Sequence, residues 1–283
     1  MHKRGEPVVT EKQLRRWERD GYLFLENVLS TTETEKLLKA VDAVLESAGQ
    51  VQVFSQHQTP SREAQAFKIA QAITLTPALD PLTDHPQIFP WLLRFIGPYL
   101  QVLGTEIFVR LPGPAVEALV DWHTDGGPAM EGFLPRPGNP ILQMKVQIFL
   151  TDLTEPDGGN FMLVPGSHRT AFAGQEQSPP SSPAGAIQIM ARAGDAILFP
   201  WSLWHGVAPN QSGRVRKSIT LRYGPMWSRP YDYDRLPAGV LARMTPRRRR
   251  LFGHLGVEAY PHTYYYPDPA EQLGLMLDDG TDQ

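Results

Sequence analysis

The chain contains no cysteine among its 283 residues. That absence excludes disulfides, thiolate metal sites and a cysteine nucleophile, and it suits a reducing compartment, so a cytoplasmic location is expected. No segment approaches the ~18 uninterrupted apolar residues of a membrane-spanning helix. The opening "MHKRGEPVVTEKQ" has no apolar stretch to act as a signal peptide. An excess of one charge is missing as well, since 27 Lys and Arg face 30 Asp and Glu. No broad basic field is therefore expected to attract nucleic acid or an acidic membrane surface.

What is present is a 41% apolar content, ample for a buried core. The first hundred residues read as helical. Thr10 with Gln13 has capping-box spacing and opens a helix that should stop near Gly21. "GYLFLENVL" follows as a short strand. Ser30 with Glu33 makes a second box, and the stripe Leu37, Leu38, Val41, Val44 and Leu45 carries a helix to Gly49. A third helix should hold Trp91, Leu92 and Phe95 before Gly97.

From Gly104 the pattern changes to strand-length runs between turns: "TEIFVRL", "ALVDWHT", "ILQMKVQIFL", "NFMLVPG", "AIQIMAR", "AILFP", "LWHGVA" and "RKSITLRY". Eight short strands with Gly, Pro and Asp turns predict a mainly β protein with N-terminal helices and a jelly-roll core. One domain over 1–283 is expected, with a helical part at 1–103, the β core at 104–229 and a wrapping tail at 230–283. Two insertions, 126–140 and 169–185, have the length and the Gly, Pro and Ser content of gating loops.

Within "DWHTDGG", side chains two apart on a strand point to one face, so His123 and Asp125 converge. Alone, that pair is better explained by surface polarity or by a histidine bonded to a nearby acid. A third partner changes the reading. His205 lies 82 residues downstream in "PWSLWHGVAPN". Two imidazoles and a carboxylate on jelly-roll strands match the facial triad of non-haem iron(II), which leaves positions open for a co-substrate and dioxygen. Eleven residues later, Arg216 opens "RKSITLRY", where Arg216, Ser218, Thr220 and Arg222 share one unusually polar face. An arginine beside a hydroxyl suits a carboxylate, because the guanidinium grips both oxygens.

These motifs, together with "RWERDGYLFLENVLS" and "DGGNFMLVPGSH", resemble the phytanoyl-CoA dioxygenase family of iron(II)- and 2-oxoglutarate-dependent oxygenases over most of the chain. The resemblance implies a double-stranded β-helix in which His123, Asp125 and His205 hold iron(II) and act catalytically. It also implies that Arg216 binds the distal carboxylate of 2-oxoglutarate, with Ser218 beside it and Lys68 in "AFKIAQA" as a second basic contact. A small-molecule substrate would be hydroxylated at an unactivated C–H bond, consuming dioxygen and releasing succinate and CO2. Many relatives carry a hydroxyl residue two places after the distal histidine, where this chain has Val207. Halogenating relatives lack the triad carboxylate, so Asp125 favours hydroxylation or another oxidation over halogenation. The competing class is a non-catalytic jelly-roll protein with a structural metal, which would have no need of Arg216. The sequence leaves the substrate and the oligomeric state open.

Other polar residues have plainer readings. His168 should hold a turn, and His57, His85, His254 and His262 should be surface or packing residues. "EPDGGN" reads as a tight turn, and the arginine run at 247–250 as a solvated helix face. Tyr264–Tyr266 should cover the barrel. Gln143, Lys145 and Gln147 alternate along one strand, and that polar face is expected to look inward.

Overall fold

The computed structural model describes residues 9–47, 53–55, 66–113, 122–125, 133, 141–169, 183–254 and 269–277. Most of the two insertions, His57, His262 and Tyr264–Tyr266 lie outside the described residues. Among the described residues, no helix is long and apolar enough to cross a membrane.

Helix α1 (Glu11–Asp20) begins where Thr10 and Gln13 cap each other, and ends where Gly21 turns left-handed and donates its N–H to the Trp17 carbonyl. Gly21 is required there. A Cβ would lie 2.2 Å from His168 Nδ1, so the imidazole packs directly on the helix terminus. Burial, then the neighbouring Arg169, pushes His168 down to about 4. Strand β1 (Leu23–Leu25) leads to α2 (Thr31–Glu46), capped by the reciprocal Ser30–Glu33 pair and ending short of Gly49. Two strands that the sequence did not suggest follow, β2 (Val53–Ser55) and β3 (Ala66–Ile69). Short helices α3 (Ala72–Leu75) and α4 (Phe89–Phe95) flank a 3-10 turn at Pro77–Asp84.

The β part begins with β4 (Leu100–Arg110) and β5 (Met144–Phe149). Next come β6 (Phe161–Leu163), β7 (Ile187–Gln188) and β8 (Ala196–Pro200). The last two are β9 (His205–Val207) and β10 (Arg216–Pro225). All pairings among the described residues are antiparallel. One sheet runs β1-β8-β5-β10-β4-β3-β2, and a smaller one runs β7-β6-β9. The helical part is woven into the larger sheet, since Leu23–Leu25 pairs with Ala196–Leu198.

Strand alternation divides the large sheet into two faces. Ile107, Val146, Leu198, Ile219 and Leu221 join Val41, Ile73 and Trp91 in the apolar core beneath the helices. Phe149, Ile197 and Phe199 face the small sheet and pack with Phe161 and Leu163. On that same inner face lie Glu106, Arg110, Lys145, Gln147, Arg216, Thr220 and Arg222, all buried. The polar face of "ILQMKVQIFL" therefore does look inward.

After β10 the chain runs back along β4. Tyr233 donates its hydroxyl to the Val102 carbonyl, and Asp232 accepts the N–H groups of Gln71 and Thr105. The arginine run corrects the sequence reading. Its helix, Pro246–Leu251, has six residues, and successive side chains point ~100° apart, so four in a row cannot share one solvated face. Arg248 pairs with Asp84 at 2.7 Å, Arg247 covers the Phe89 ring, and Arg250 is fully buried. The run anchors the tail to the 3-10 turn and α4.

Candidate metal and co-substrate site

His205 lies on β9, and the backbones of His123 and His205 exchange both hydrogen bonds at 3.0 Å. That close pairing sets the two imidazoles side by side, with ring centroids 4.4 Å apart. Two residues on, the Asp125 N–H is held by the Trp201 carbonyl at 2.8 Å, which brings its carboxylate to the same point. The ligand atoms of His123, Asp125 and His205 all lie within 4.8 Å of one another.

His205 and Asp125 are each prepared locally. His205 Nδ1 meets the Leu203 carbonyl at 2.9 Å, which assigns the proton to Nδ1 and leaves the Nε2 lone pair for a metal. Phe161 and Phe199 pack on the His205 ring, and burial lowers its basicity well below the usual imidazole value. The two Asp125 oxygens differ. Oδ1 accepts from Lys145 Nζ at 2.5 Å and lies 3.7 Å from Arg222 Nη1. Oδ2 is buried without a hydrogen-bond partner, 3.6 Å from His205 Nε2. Burial alone would raise the Asp125 pKa. Lys145, His205, Arg222 and His123 override it and hold the carboxyl far below its ordinary value. Two imidazole nitrogens and one carboxylate oxygen, with Oδ2 lacking a hydrogen-bond partner, fit a hard-to-borderline divalent cation such as iron(II).

Lys145 and Arg222 belong to a longer chain of charge. Glu106 is fully buried between Arg222 at 2.9 Å and Lys68 at 3.1 Å, and Lys68 also donates to the Tyr231 hydroxyl at 2.8 Å. Burial pulls Lys145 down to about 8, with Arg222 adding to the effect while Asp125 and Glu106 resist it.

The triad opens onto a cavity of about 300 Å³ between the two sheets, lined also by Lys68, Lys145, Arg216 and Arg222. Arg216 is 3% exposed, and its Nε has no partner. Burial, then the neighbouring Arg110, lowers it to about 9. Structure and sequence differ in detail here. Lys68 lines the cavity but is already engaged by Glu106. Ser218 is fully buried with an unpartnered hydroxyl, and Thr220, one alternation further on, reaches the cavity wall instead. The sequence reading missed Glu106 and Arg110. Their signal was an acid and a base at even spacing in an otherwise apolar strand, "TEIFVR".

Comparison with known proteins points the same way as this geometry. The family pattern described as Phytanoyl-CoA dioxygenase (PhyH) matches residues 17–218. Dioxygenase cdmA from Talaromyces verruculosus is 29% identical over 170 residues, covering 60% of this chain. The chain spans about half the length of that relative, 55%. Ectoine dioxygenase from Bordetella bronchiseptica is 27% identical over 249 residues, covering 77% of this chain and 76% of its own. Among solved structures, the non-heme alpha ketoglutarate dependent carbocyclase SnoK from nogalamycin biosynthesis is similar with a TM-score of 0.61 and 26% identity. That likeness covers 86% of this chain and 95% of SnoK.

Proposed function

The chain belongs to the phytanoyl-CoA dioxygenase family, and from that premise we propose that it is an iron(II)- and 2-oxoglutarate-dependent dioxygenase hydroxylating a small organic molecule at an unactivated C–H bond. Its two facing antiparallel sheets are read as a double-stranded β-helix within one domain over 1–283. The observation that carries the reading is the pairing, in one cavity, of an open three-ligand set with a buried arginine that has no carboxylate partner among the described residues. A structural metal site explains the first feature and leaves the second unexplained.

His123, Asp125 and His205 would hold iron on one side only, leaving the cavity side open. When bound, iron and 2-oxoglutarate supply the oxidising chemistry: one oxygen atom of dioxygen enters the substrate and the other enters succinate, as CO2 leaves. The chain's own residues prepare that chemistry. The Leu203 carbonyl keeps the His205 proton on Nδ1, so the metal-facing nitrogen stays unprotonated. Lys145 occupies Asp125 Oδ1 and thereby directs Oδ2 to the metal. Phe161 and Phe199 exclude water around His205. Arg216 would bind the distal carboxylate of 2-oxoglutarate and so fix the keto-acid end at the metal.

Succinate formation tests the reading. The iron-loaded protein in air should convert 2-oxoglutarate to succinate, slowly without its substrate, and Asp125→Ala should reduce the rate to that of a chelator-treated control. Wild-type succinate at the chelator background, or Asp125→Ala turning over at the wild-type rate, would rule out the assignment.

A further inference from the structure

Arg216 does not stand alone at its end of the cavity. Its register partner across the β10–β4 ladder is Arg110, and both side chains line the same wall. Arg110 is 9% exposed, and its side chain makes one hydrogen bond among the described residues, from Nη1 to the Val207 carbonyl at 3.4 Å. Among the described residues, neither arginine has a carboxylate partner, in contrast to Arg222 with Glu106 and Lys145 with Asp125 at the other end. Two guanidinium groups side by side in a buried wall repel each other and lose hydration. The turn Asp157–Gly159 fits them closely. Gly159 adopts a left-handed φ of +81°, and a Cβ there would meet Arg110 Cδ and Arg216 Cβ at 3.4 Å. The backbone of "EPDGGN" is thus shaped to let both side chains lie over it.

Taking 2-oxoglutarate as the co-substrate, as read above, we propose that Arg110 is a second binding residue for its distal carboxylate, forming with Arg216 a two-guanidinium clamp. Each guanidinium carries five N–H donors, and a carboxylate has about four lone-pair sites to receive them, so two arginines approaching from adjacent strands can saturate both oxygens. The same anion would separate the two like charges. Val207 contributes an apolar side chain at this end, and its carbonyl steadies Arg110 instead. The clamp predicts strong selectivity for 2-oxo acids that carry a second carboxylate at the far end.

Anaerobic calorimetric titration of the iron(II)-loaded protein tests the clamp, with 2-oxoglutarate and 2-oxopentanoate as probes, the latter of equal chain length without the distal carboxylate. Arg110→Leu should weaken 2-oxoglutarate binding about 10- to 100-fold, the worth of one charge-assisted hydrogen bond. It should leave iron(II) affinity and 2-oxopentanoate binding within about twofold of wild type by the same criterion, and Arg110→Lys should recover part of the loss. Unchanged 2-oxoglutarate affinity in Arg110→Leu, with Arg216→Leu still impaired, overturns the clamp and leaves the co-substrate reading intact. Equal losses for both probes would make Arg110 a merely structural residue and also overturn the clamp. An iron-loaded wild type that fails to bind 2-oxoglutarate overturns both readings.

Discussion

At Asp232 a buried carboxyl is held by two backbone N–H groups, from Gln71 at 2.8 Å and Thr105 at 3.0 Å. Burial still outweighs those bonds and raises its pKa from 3.8 to about 6. A raised carboxyl binds its proton more tightly in the folded state. Its contribution to stability is therefore fully present below about pH 4 and is lost as pH rises through about 6. Asparagine keeps the acceptor and removes the charge. Asp232→Asn should match wild type near pH 4 and exceed it by about 2–3 kcal/mol near pH 7, at ~1.4 kcal/mol per pKa unit. Urea melts at both pH values measure this directly, and parallel pH dependences for the two proteins would contradict it. The residues of the site were unevenly legible. His123, Asp125, His205 and Arg216 showed in the sequence because one-strand spacing and chain order mark them. Glu106 and Arg110 did not, because their meaning depends on which strand β4 faces. That register, Arg110 opposite Arg216 and Glu106 opposite Thr220, is set by long-range pairing.

Among the elements, β10 was the most legible, because its alternation of Ile219, Leu221 and Tyr223 with Arg216, Ser218, Thr220 and Arg222 divides core from cavity by period alone. The capping boxes of α1 and α2 gave both helix starts. Strands β2 and β3 span only three and four residues, too short for periodicity to register. The small sheet was legible as runs but not as lengths, and β7 shrinks to two residues. Beside the β1–β8 ladder, a close backbone approach fixes the turn between β1 and α2 against the sheets. Gly194, with φ +99°, donates to the Phe149 carbonyl and accepts from Leu29 N, and a Cβ there would stand 2.8 Å from the Leu29 carbonyl oxygen. Gly194→Ala forces both a left-handed alanine and a backbone clash, and should cost about 2–3 kcal/mol. Ser30→Ala removes only the α2 cap and should cost about 1 kcal/mol. Equilibrium unfolding of the two variants should preserve that order, and a Gly194→Ala protein as stable as wild type would contradict the close approach.

Among the described residues, the helices and the outer face of the large sheet share one apolar core, while a cluster of buried charge lies between the sheets. Lys145, Arg222 and Lys68 pair with Asp125 and Glu106 at the metal end, whereas Arg110 and Arg216 have no carboxylate partner among the described residues. That asymmetry matches a dianionic co-substrate stretched from metal to arginine. The account's central claim is that one such molecule bridges the two ends. Titrating 2-oxoglutarate anaerobically into the iron(II)-loaded protein while following its weak visible charge-transfer absorption tests this most directly. The wild type should develop the band and saturate at one 2-oxoglutarate per iron. Arg216→Ala, losing a bidentate charged pair of about 3–5 kcal/mol, should need roughly 100- to 4,000-fold more co-substrate for the same band. A wild type that binds iron yet shows no band, or an Arg216→Ala protein that saturates at the wild-type concentration, would contradict the account.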